Sequence, residues 1–331
     1  MSEQYGVALI MPAYNEEEHL KDTISSIPEI VDLILFINDG STDSTLETAN
    51  KHFIESNRSN FGNGITELNY KIITQENQGV GSAVVRGLKE IIELDKNNQL
   101  KKQFPNKNKW IVIIMDSDGQ MDSNDIPELI KPLVNNSVDH VKGNRVGLEG
   151  MPKIRKIGSY LLKKLMRVAS GYPKINDTQS GFRAINLEMI KIWDFNTKWD
   201  DYGYTNWWLL ESGRRSFKLK EIEVKSIYKG EKSKLKIRRF LPKVSLLIFK
   251  SLWKRGWQWY VLGRGTESKK LRITFCIIWF TTIFSLFGMI LFSKHYIYFL
   301  TYSIFGLFIT RKLDVVESER RLNQPNSPLI N

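Results

Sequence analysis

Residues 110–120 read WIVIIMDSDGQ, and the reading of this stretch decides the fold. Residues 110–115 are apolar and rich in β-branched side chains, yet too few for a free-standing helix. They read as a strand buried on both faces, as in a parallel sheet. The run stops at Asp116-Ser117-Asp118-Gly119-Gln120. In open α/β sheets ligands bind beyond the carboxyl ends of strands, which is where these carboxylates fall. Two carboxylates two residues apart repel each other and call for a cation between them. Hard oxygen donors suit Mg²⁺ or Mn²⁺, which keeps waters and completes its shell with substrate phosphates. Gln120 adds a neutral carbonyl, so Asp116, Asp118 and Gln120 are the expected metal ligands. The plainer alternative is an Asp-rich turn before the helix that Asp125 and Pro127 open.

The same punctuation recurs upstream. Residues 5–11 form an expected first strand, followed by Pro12-Ala13-Tyr14-Asn15-Glu16 and a helix over about 16–27. Acidic residues 16–18 lie in its first turn, as the helix dipole favours. Residues 31–37 are a second strand, ended by Asn38-Asp39-Gly40-Ser41-Thr42-Asp43, where Ser41 or Thr42 is placed to cap the next helix. Residues 55–67 read as loop and 70–74 as a third strand. Gln78-Gly79-Val80-Gly81-Ser82 then opens a helix ending near Leu94, and 95–109 reads as an exposed, Lys- and Asn-rich insertion. Strand and helix alternating at this spacing predict a parallel sheet with right-handed crossovers. Asp39 is placed to hold a ribose or base edge. Gly79 and Gly81 let the backbone approach a phosphate at a helix N-terminus. Taken singly, each of these reads as turn chemistry before it reads as a ligand contact.

Over 331 residues the net charge is +12, with Lys and Arg concentrated after about residue 142. That balance points to an anionic partner: nucleic acid, nucleotide phosphates or a membrane surface. The single cysteine, Cys276, excludes an internal disulfide and a cysteine-based zinc site. His19, His52, His140 and His295 show no ligand spacing, and the early first strand leaves no room for a signal peptide. Residues 154–169 predict a basic amphipathic helix packing Ile157, Leu161, Leu165 and Val168 on the core. Another helix over 205–213 carries Trp207 and Trp208, expected in the core, and a strand follows near 220–228.

From 238 to 260 basic residues alternate with bulky apolar ones, the pattern of helices lying at the headgroup level of a membrane. Residues 273–292 carry no charge and are long enough to span the hydrocarbon. Lys294-His295 make a turn, and 296–310 is a second apolar segment that spans with tilt or local thinning. Basic residues flank both outer ends of this hairpin, so both ends are expected on the cytoplasmic side.

Taken in order, P-A-Y-N-E at 12–16, N-D-G-S-T-D at 38–43, G-V-G-S-A at 79–83 and D-S-D-G-Q at 116–120 resemble family 2 glycosyltransferases of the GT-A fold. The likeness is strongest to dolichyl-phosphate mannose synthases and their polyprenyl-phosphate sugar transferase relatives. Asp177-Thr178-Gln179-Ser180-Gly181-Phe182-Arg183 is similar to that subgroup's D-x-x-SGFR. Gly143-Asn144-Arg145 resembles its G-S-R with Asn for Ser, and Ser233-Lys234-Leu235 its S-K-L. The resemblance runs from residue 5 to about 240. It departs at the 95–109 insertion and at Lys229-Gly230-Glu231-Lys232, where an arginine is expected.

The resemblance implies an α/β GT-A nucleotide-diphospho-sugar transferase fold, with a Rossmann-like mixed sheet, over residues 1–235. Interfacial helices over 236–265, a transmembrane hairpin over 271–310 and a polar cytoplasmic tail over 311–331 would follow. It places Pro12, Ala13, Tyr14, Glu16, Asp39, Gly79, Gly81 and Ser82 on the donor. Asp118, Asp177, Arg145 and Arg183 become the catalytic group, with Lys229, Lys232 and Lys234 as further phosphate contacts. The implied reaction is metal-dependent and inverting. It moves a hexose, mannose or glucose, from GDP-mannose or UDP-glucose to a polyprenyl or dolichyl phosphate at the cytoplasmic membrane face. Membrane lipids are expected partners and a homo-oligomer is compatible; nucleic acid is not expected, since no binding module is present. Two alternatives stay open. One is a transferase acting on a glycolipid or polysaccharide hydroxyl, which needs a general base. The other is a non-catalytic membrane-anchored nucleotide-sugar binder, which need not keep both D-x-D-x-Q and SGFR.

Overall fold

A computed structural model describes residues 4–62, 68–146, 153–195, 203–225, 237–264 and 266–323. The chain divides into two compact units. The first comprises Met1–Lys156, Asn176–Trp208 and Lys218–Pro242. It opens with β1 (Tyr5–Ala13), α1 (Glu17–Ser25), β2 (Leu33–Asn38), α2 (Thr45–Glu55), β3 (Ser59–Asn60) and β4 (Asn69–Thr74). It continues with α3 (Val80–Lys96), α4 (Gln99–Gln103), β5 (Lys109–Ile114), α5 (Ile126–Val134) and β6 (His140–Val146). After α6 (Lys153–Ser170) come β7 (Arg183–Asn186), α7 (Leu187–Lys191), α8 (Tyr204–Arg214) and β8 (Leu219–Lys225).

The apolar runs of β1, β2 and β5 are buried almost throughout, as strands covered by helices on both faces must be. Among the described residues the sheet has eight strands in the order β3-β4-β2-β1-β5-β7-β6-β8. The chain winds from β1 outward through β2 to β4, then returns to the other side of β1 as β5. The order therefore reverses at β1 and β5, the position where open sheets bind ligands. Neither edge invites pairing: β3 is two residues long, and β8 alternates charged residues along its length.

The expectation of a parallel sheet holds for every neighbouring pair except those of β7. That strand runs antiparallel to both β5 and β6, pairing Arg183 with Ile114 and with Lys142. An antiparallel strand begins where its neighbours end. The 177–183 loop thereby arrives at the same sheet edge as Asp116 and Arg145, whereas a parallel strand would have carried it to the opposite edge.

Three local expectations are corrected. Neither Ser41 nor Thr42 caps α2. The N-cap position is Ser44, whose side chain makes no cap hydrogen bond. Asp43 Oδ1, one residue earlier, accepts from Thr45 N at 3.0 Å, while Ser41 Oγ accepts from Asn15 N and Thr42 N donates to Asn15 Oδ1. The 95–109 insertion is not simply exposed: α4 and its exit bury Leu100 and Phe104, and the Phe104 ring meets Trp110 edge-on at 5.1 Å. Within 55–67, β3 adds a short strand beside β4, and buried Arg58 donates to Val31 O.

The second unit comprises Ile157–Ile175, Leu209–Phe217 and Lys243–Asn331. Its later elements are α9 (Ile237–Gly256), a π turn at Trp257–Val261, α10 (Lys269–Leu291), a 3₁₀ turn at Ser293–His295 and α11 (Tyr296–Asn323). The expected inward face of α6 is corrected. Leu161 and Leu165 are 58% and 43% exposed, and Met166, Ala169 and Ser170 are buried instead. Close packing at the end of α6 fixes this rotation, since a Cβ at Gly213 would lie 1.7 Å from Ser170 O. The α10 and α11 helices pair antiparallel through small and hydroxyl residues. Ser285 Oγ donates to Phe299 O and Tyr302 Oη to Thr281 Oγ1, and Gly306 lies against Thr282. Among the described residues, α10 is the one helix long and apolar enough to cross a membrane.

Residues 311–323 are not the polar tail expected after position 310. They continue α11 and bury Asp314, Glu317, Ser318 and Arg321. The cause is a polar network. Arg255 pairs with Asp314 through two hydrogen bonds of 2.8 and 2.9 Å, and Tyr260 Oη donates to Asp314 at 2.8 Å. Arg255 also donates to Ala169 O and Val168 O, and Trp259 Nε1 to Arg214 O.

Candidate active site

The site lies in the first unit, at the carboxyl edge of β1, β2, β5 and β6. On the β1 side, Pro12 O accepts from Ser117 Oγ at 2.9 Å, tying the first motif to the carboxylate loop. Asn15, at φ +55°, turns the chain so that Glu16 N donates to Thr45 Oγ1, and Tyr14 stands 40% exposed. Buried Asp39 spends its carboxylate on the next loop, accepting from Gln75 Nε2, Gln78 N and Gly79 N at 2.7–3.0 Å. It thereby fixes Gly79, whose φ of +90° favours glycine. Gly81 and Ser82 are buried in the first turn of α3, and Ser82 Oγ donates to Gln78 Oε1.

At the end of β5, Gly119 (φ +70°) closes a tight turn in which Gln120 N donates to Asp118 Oδ1 at 3.0 Å. Asp116 is partly exposed as a residue, but its Oδ1 is sealed from solvent without a hydrogen-bond partner. Burial, and then the charge of Asp118, push its carboxyl up to about 7, although Arg183 and Arg145 oppose the shift. A carboxylate so placed is stabilised by a cation. Among the described residues no three His, Cys, Asp or Glu side chains converge on one ion. Two carboxylates and an amide, completed by water and a diphosphate, are a donor set that fits Mg²⁺ or Mn²⁺.

The opposite wall is built around Asp177. Its carboxylate accepts from Arg145 Nε at 2.7 Å and Nη2 at 3.2 Å, and from the backbone N–H groups of Gln179 and Ser180. Burial raises this carboxyl, but Lys142 and Arg145 outweigh it and hold it well below the usual carboxylate range. Lys142 is fully buried and donates to Asp177 O. Burial brings its ammonium down to about 8 against the pull of Asp177. Glu221 completes the frame by accepting from Asn176 N and Asp177 N. Arg145 keeps a side-chain exposure of 31%.

Arg183 is fully buried. Its Nε and Nη2 donate back to Gly181 O and Ser180 O, and its guanidinium lies 5.0 Å from the Trp208 ring and 5.7 Å from that of Tyr204. The cation shapes its own loop from within, whereas the Arg145 guanidinium, bound to Asp177, keeps part of its surface exposed. Trp207 and Trp208 are core, as expected. Lys229, Lys232 and Lys234 lie outside the described residues.

Sequence reasoning brought together Asp116, Asp118, Gln120, Arg145, Asp177 and Arg183, and these share one sheet edge. It missed Lys142, Glu221 and Tyr204. Lys142 lies three residues before Arg145 in β6, between His140 and Asn144, and nothing in that polar local sequence marks it as buried.

A model of the family described as Glycosyl transferase family 2 matches residues 8–193. The UDP-N-acetylglucosamine–dolichyl-phosphate N-acetylglucosaminyltransferase of Methanococcus voltae is 29% identical over 230 residues, 67% of this chain and 86% of that protein. The dolichyl-phosphate hexose transferase of Haloferax volcanii is 25% identical over 224 residues, 66% of this chain and 81% of that protein. Glucosyl-3-phosphoglycerate synthase from Mycobacterium tuberculosis, in complex with Mn²⁺, UDP and glucosyl-3-phosphoglycerate, is similar in fold. Its TM-score is 0.51 at 18% identity, covering 76% of this chain and 79% of that one.

Proposed function

We propose that this chain, which belongs to glycosyl transferase family 2, moves a sugar from a nucleotide diphosphate onto a polyprenyl or dolichyl phosphate, with inversion. The observation that carries this reading is the state of Asp177. A hydroxyl acceptor needs a base to remove its proton. Asp177 is held as a stable anion by Arg145, Lys142 and two backbone N–H groups, which makes it a poor base. A phosphate monoester, with a second pKa of about 6, is already ionised and attacks unaided. Its need is for a cation to offset repulsion from the donor, and Arg145 offers one at the site's exposed side.

Asp116, Asp118 and Gln120 hold the divalent ion, Mg²⁺ or Mn²⁺. When bound, the ion neutralises the donor diphosphate and eases departure of the nucleotide as a Lewis acid. Pro12, Ala13, Tyr14, Glu16 and the Asp39-fixed Gly79 turn line the nucleotide side. Attack in line with the departing diphosphate gives a β-linked sugar phosphate from an α-linked donor. The similarity to dolichyl-phosphate transferases supports the lipid acceptor, and the Methanococcus relative adds UDP-N-acetylglucosamine to GDP-mannose and UDP-glucose as donors to test.

The deciding experiment incubates membranes carrying the chain with each labelled donor and prenyl phosphate. Label is expected in acid-labile, solvent-extractable lipid. Transfer to a prenol or sugar hydroxyl, with prenyl phosphate ignored, overturns the assignment.

The membrane reading is that α10 and the first half of α11 span the bilayer as a hairpin, with the catalytic unit cytosolic. The apolar surface of α10 supports it, with Phe284, Ile290 and Leu291 each more than 70% exposed. So do the basic residues at both outer ends of the hairpin. A Lys294→Cys variant in a Cys276→Ser background is expected to react with an impermeant thiol reagent from the outer face only. Labelling only from the cytosolic face counts against the hairpin.

A further inference from the structure

Tyr204 opens α8, and its phenol oxygen is sealed from solvent with no hydrogen-bond partner. Buried hydroxyls are rarely left in that state, because the group has given up water and received nothing in exchange. The candidate acceptor is close. A Cβ at Gly181 would lie 2.7 Å from Tyr204 Oη and 3.2 Å from Asp116 Oδ2, so the phenol and the carboxylate approach one point that only glycine leaves open. The other Asp116 oxygen, Oδ1, is also sealed and unpartnered. The ring cannot wander. The Arg183 guanidinium lies against it, and Arg183 is itself tied to Ser180 O and Gly181 O.

We propose that Tyr204 is a positioning residue for the cation site: its phenolic O–H donates to Asp116 on the Oδ2 side, directly or through one water, leaving Oδ1 to the divalent ion. Gly181 is then glycine because any side chain would stand between the two groups. Outer partners of this kind orient metal-binding carboxylates, and losing one costs about 10–100-fold in metal affinity. The inference rests on the metal-dependent reading above and is tested without turnover.

Full-length wild-type and Tyr204→Phe chains in detergent are titrated with Mn²⁺ alone, following loss of the free-ion electron paramagnetic resonance signal. Tyr204→Phe is expected to weaken binding by about 10–100-fold while the metal-free melting temperature stays within a degree or two. A purely structural tyrosine would lower the melting temperature and leave the affinity where it was. Gly181→Ala keeps the hydroxyl but fills the gap, so it should weaken Mn²⁺ similarly. The double variant should bind no worse than Tyr204→Phe. Wild-type affinity in Tyr204→Phe, or in Gly181→Ala should the first variant not fold, overturns the inference. Failure of the wild-type chain itself to bind Mn²⁺ removes the metal reading, and this inference with it.

Discussion

Asp118→Asn is expected to slow sugar transfer on the order of 10²-fold or more, about 2.7 kcal/mol of transition-state stabilisation. Asn keeps the shape of the side chain and an oxygen able to accept from Gln120 N, so the turn at Gly119 should survive. On the metal-dependent reading proposed above, it removes one of the two negative charges that would hold the ion against the departing diphosphate. The loss should therefore appear in the rate constant at saturating donor and metal, with the melting temperature unchanged. Excess EDTA should silence the wild-type enzyme in the same assay. Full activity in EDTA would remove the metal from the reaction altogether.

The second large effect concerns stability. Asp314→Ala leaves the Arg255 guanidinium, 2% exposed, without its carboxylate. Breaking a buried pair from one side costs about 3–5 kcal/mol, because the surviving charge has lost both water and partner. Burial raises the Asp314 carboxyl, yet Arg255, the Tyr260 hydroxyl and Arg311 overcome this and hold it below the usual range. The group is therefore charged at neutral pH. The expected fall in melting temperature is on the order of 10 °C, read by thermal unfolding in detergent. Removing both charges with Arg255→Met and Asp314→Leu should recover much of it. If Asp314→Ala melts with the wild type, the network is ornamental and residues 311–323 need another anchor.

Much of the fold was legible because β1, β2 and β5 are apolar runs bounded by turn residues, and β4 carries Tyr70, Ile72 and Ile73 between two turns. The turn at Asp116–Gln120 was legible for the same reason: an apolar run that stops at Asp-Ser-Asp-Gly marks the end of a strand, while an Asp-rich turn and a cation site read alike in sequence. The direction of β7 was not. Four residues, Arg-Ala-Ile-Asn, carry no mark of orientation, which is set by the strands on either side. The burial of Lys142 was hidden because its partner, Asp177, arrives from a loop far along the chain. Amphipathicity showed that α6 has an apolar face but not that Leu161 and Leu165 would stay uncovered. The change from apolar to charged residues at Arg311 looked like the end of a helix. The helix continues because Asp314, Glu317 and Arg321 find a folded interior to enter.

The antiparallel strand that begins at Arg183 has a second effect, on the newly made chain. Until β7 is synthesised, β5 can pair with β1 on one side only. Behind the leading Lys109 its other side then presents Trp-Ile-Val-Ile-Ile, an uncharged, largely β-branched edge of the kind on which foreign strands assemble. Its shield lies beyond all of β6 and α6. A ribosome-bound fragment ending before residue 183 thus leaves that edge of β5 open, and the arrival of β7 both covers it and brings the 177–183 loop to the Asp116 end of the sheet.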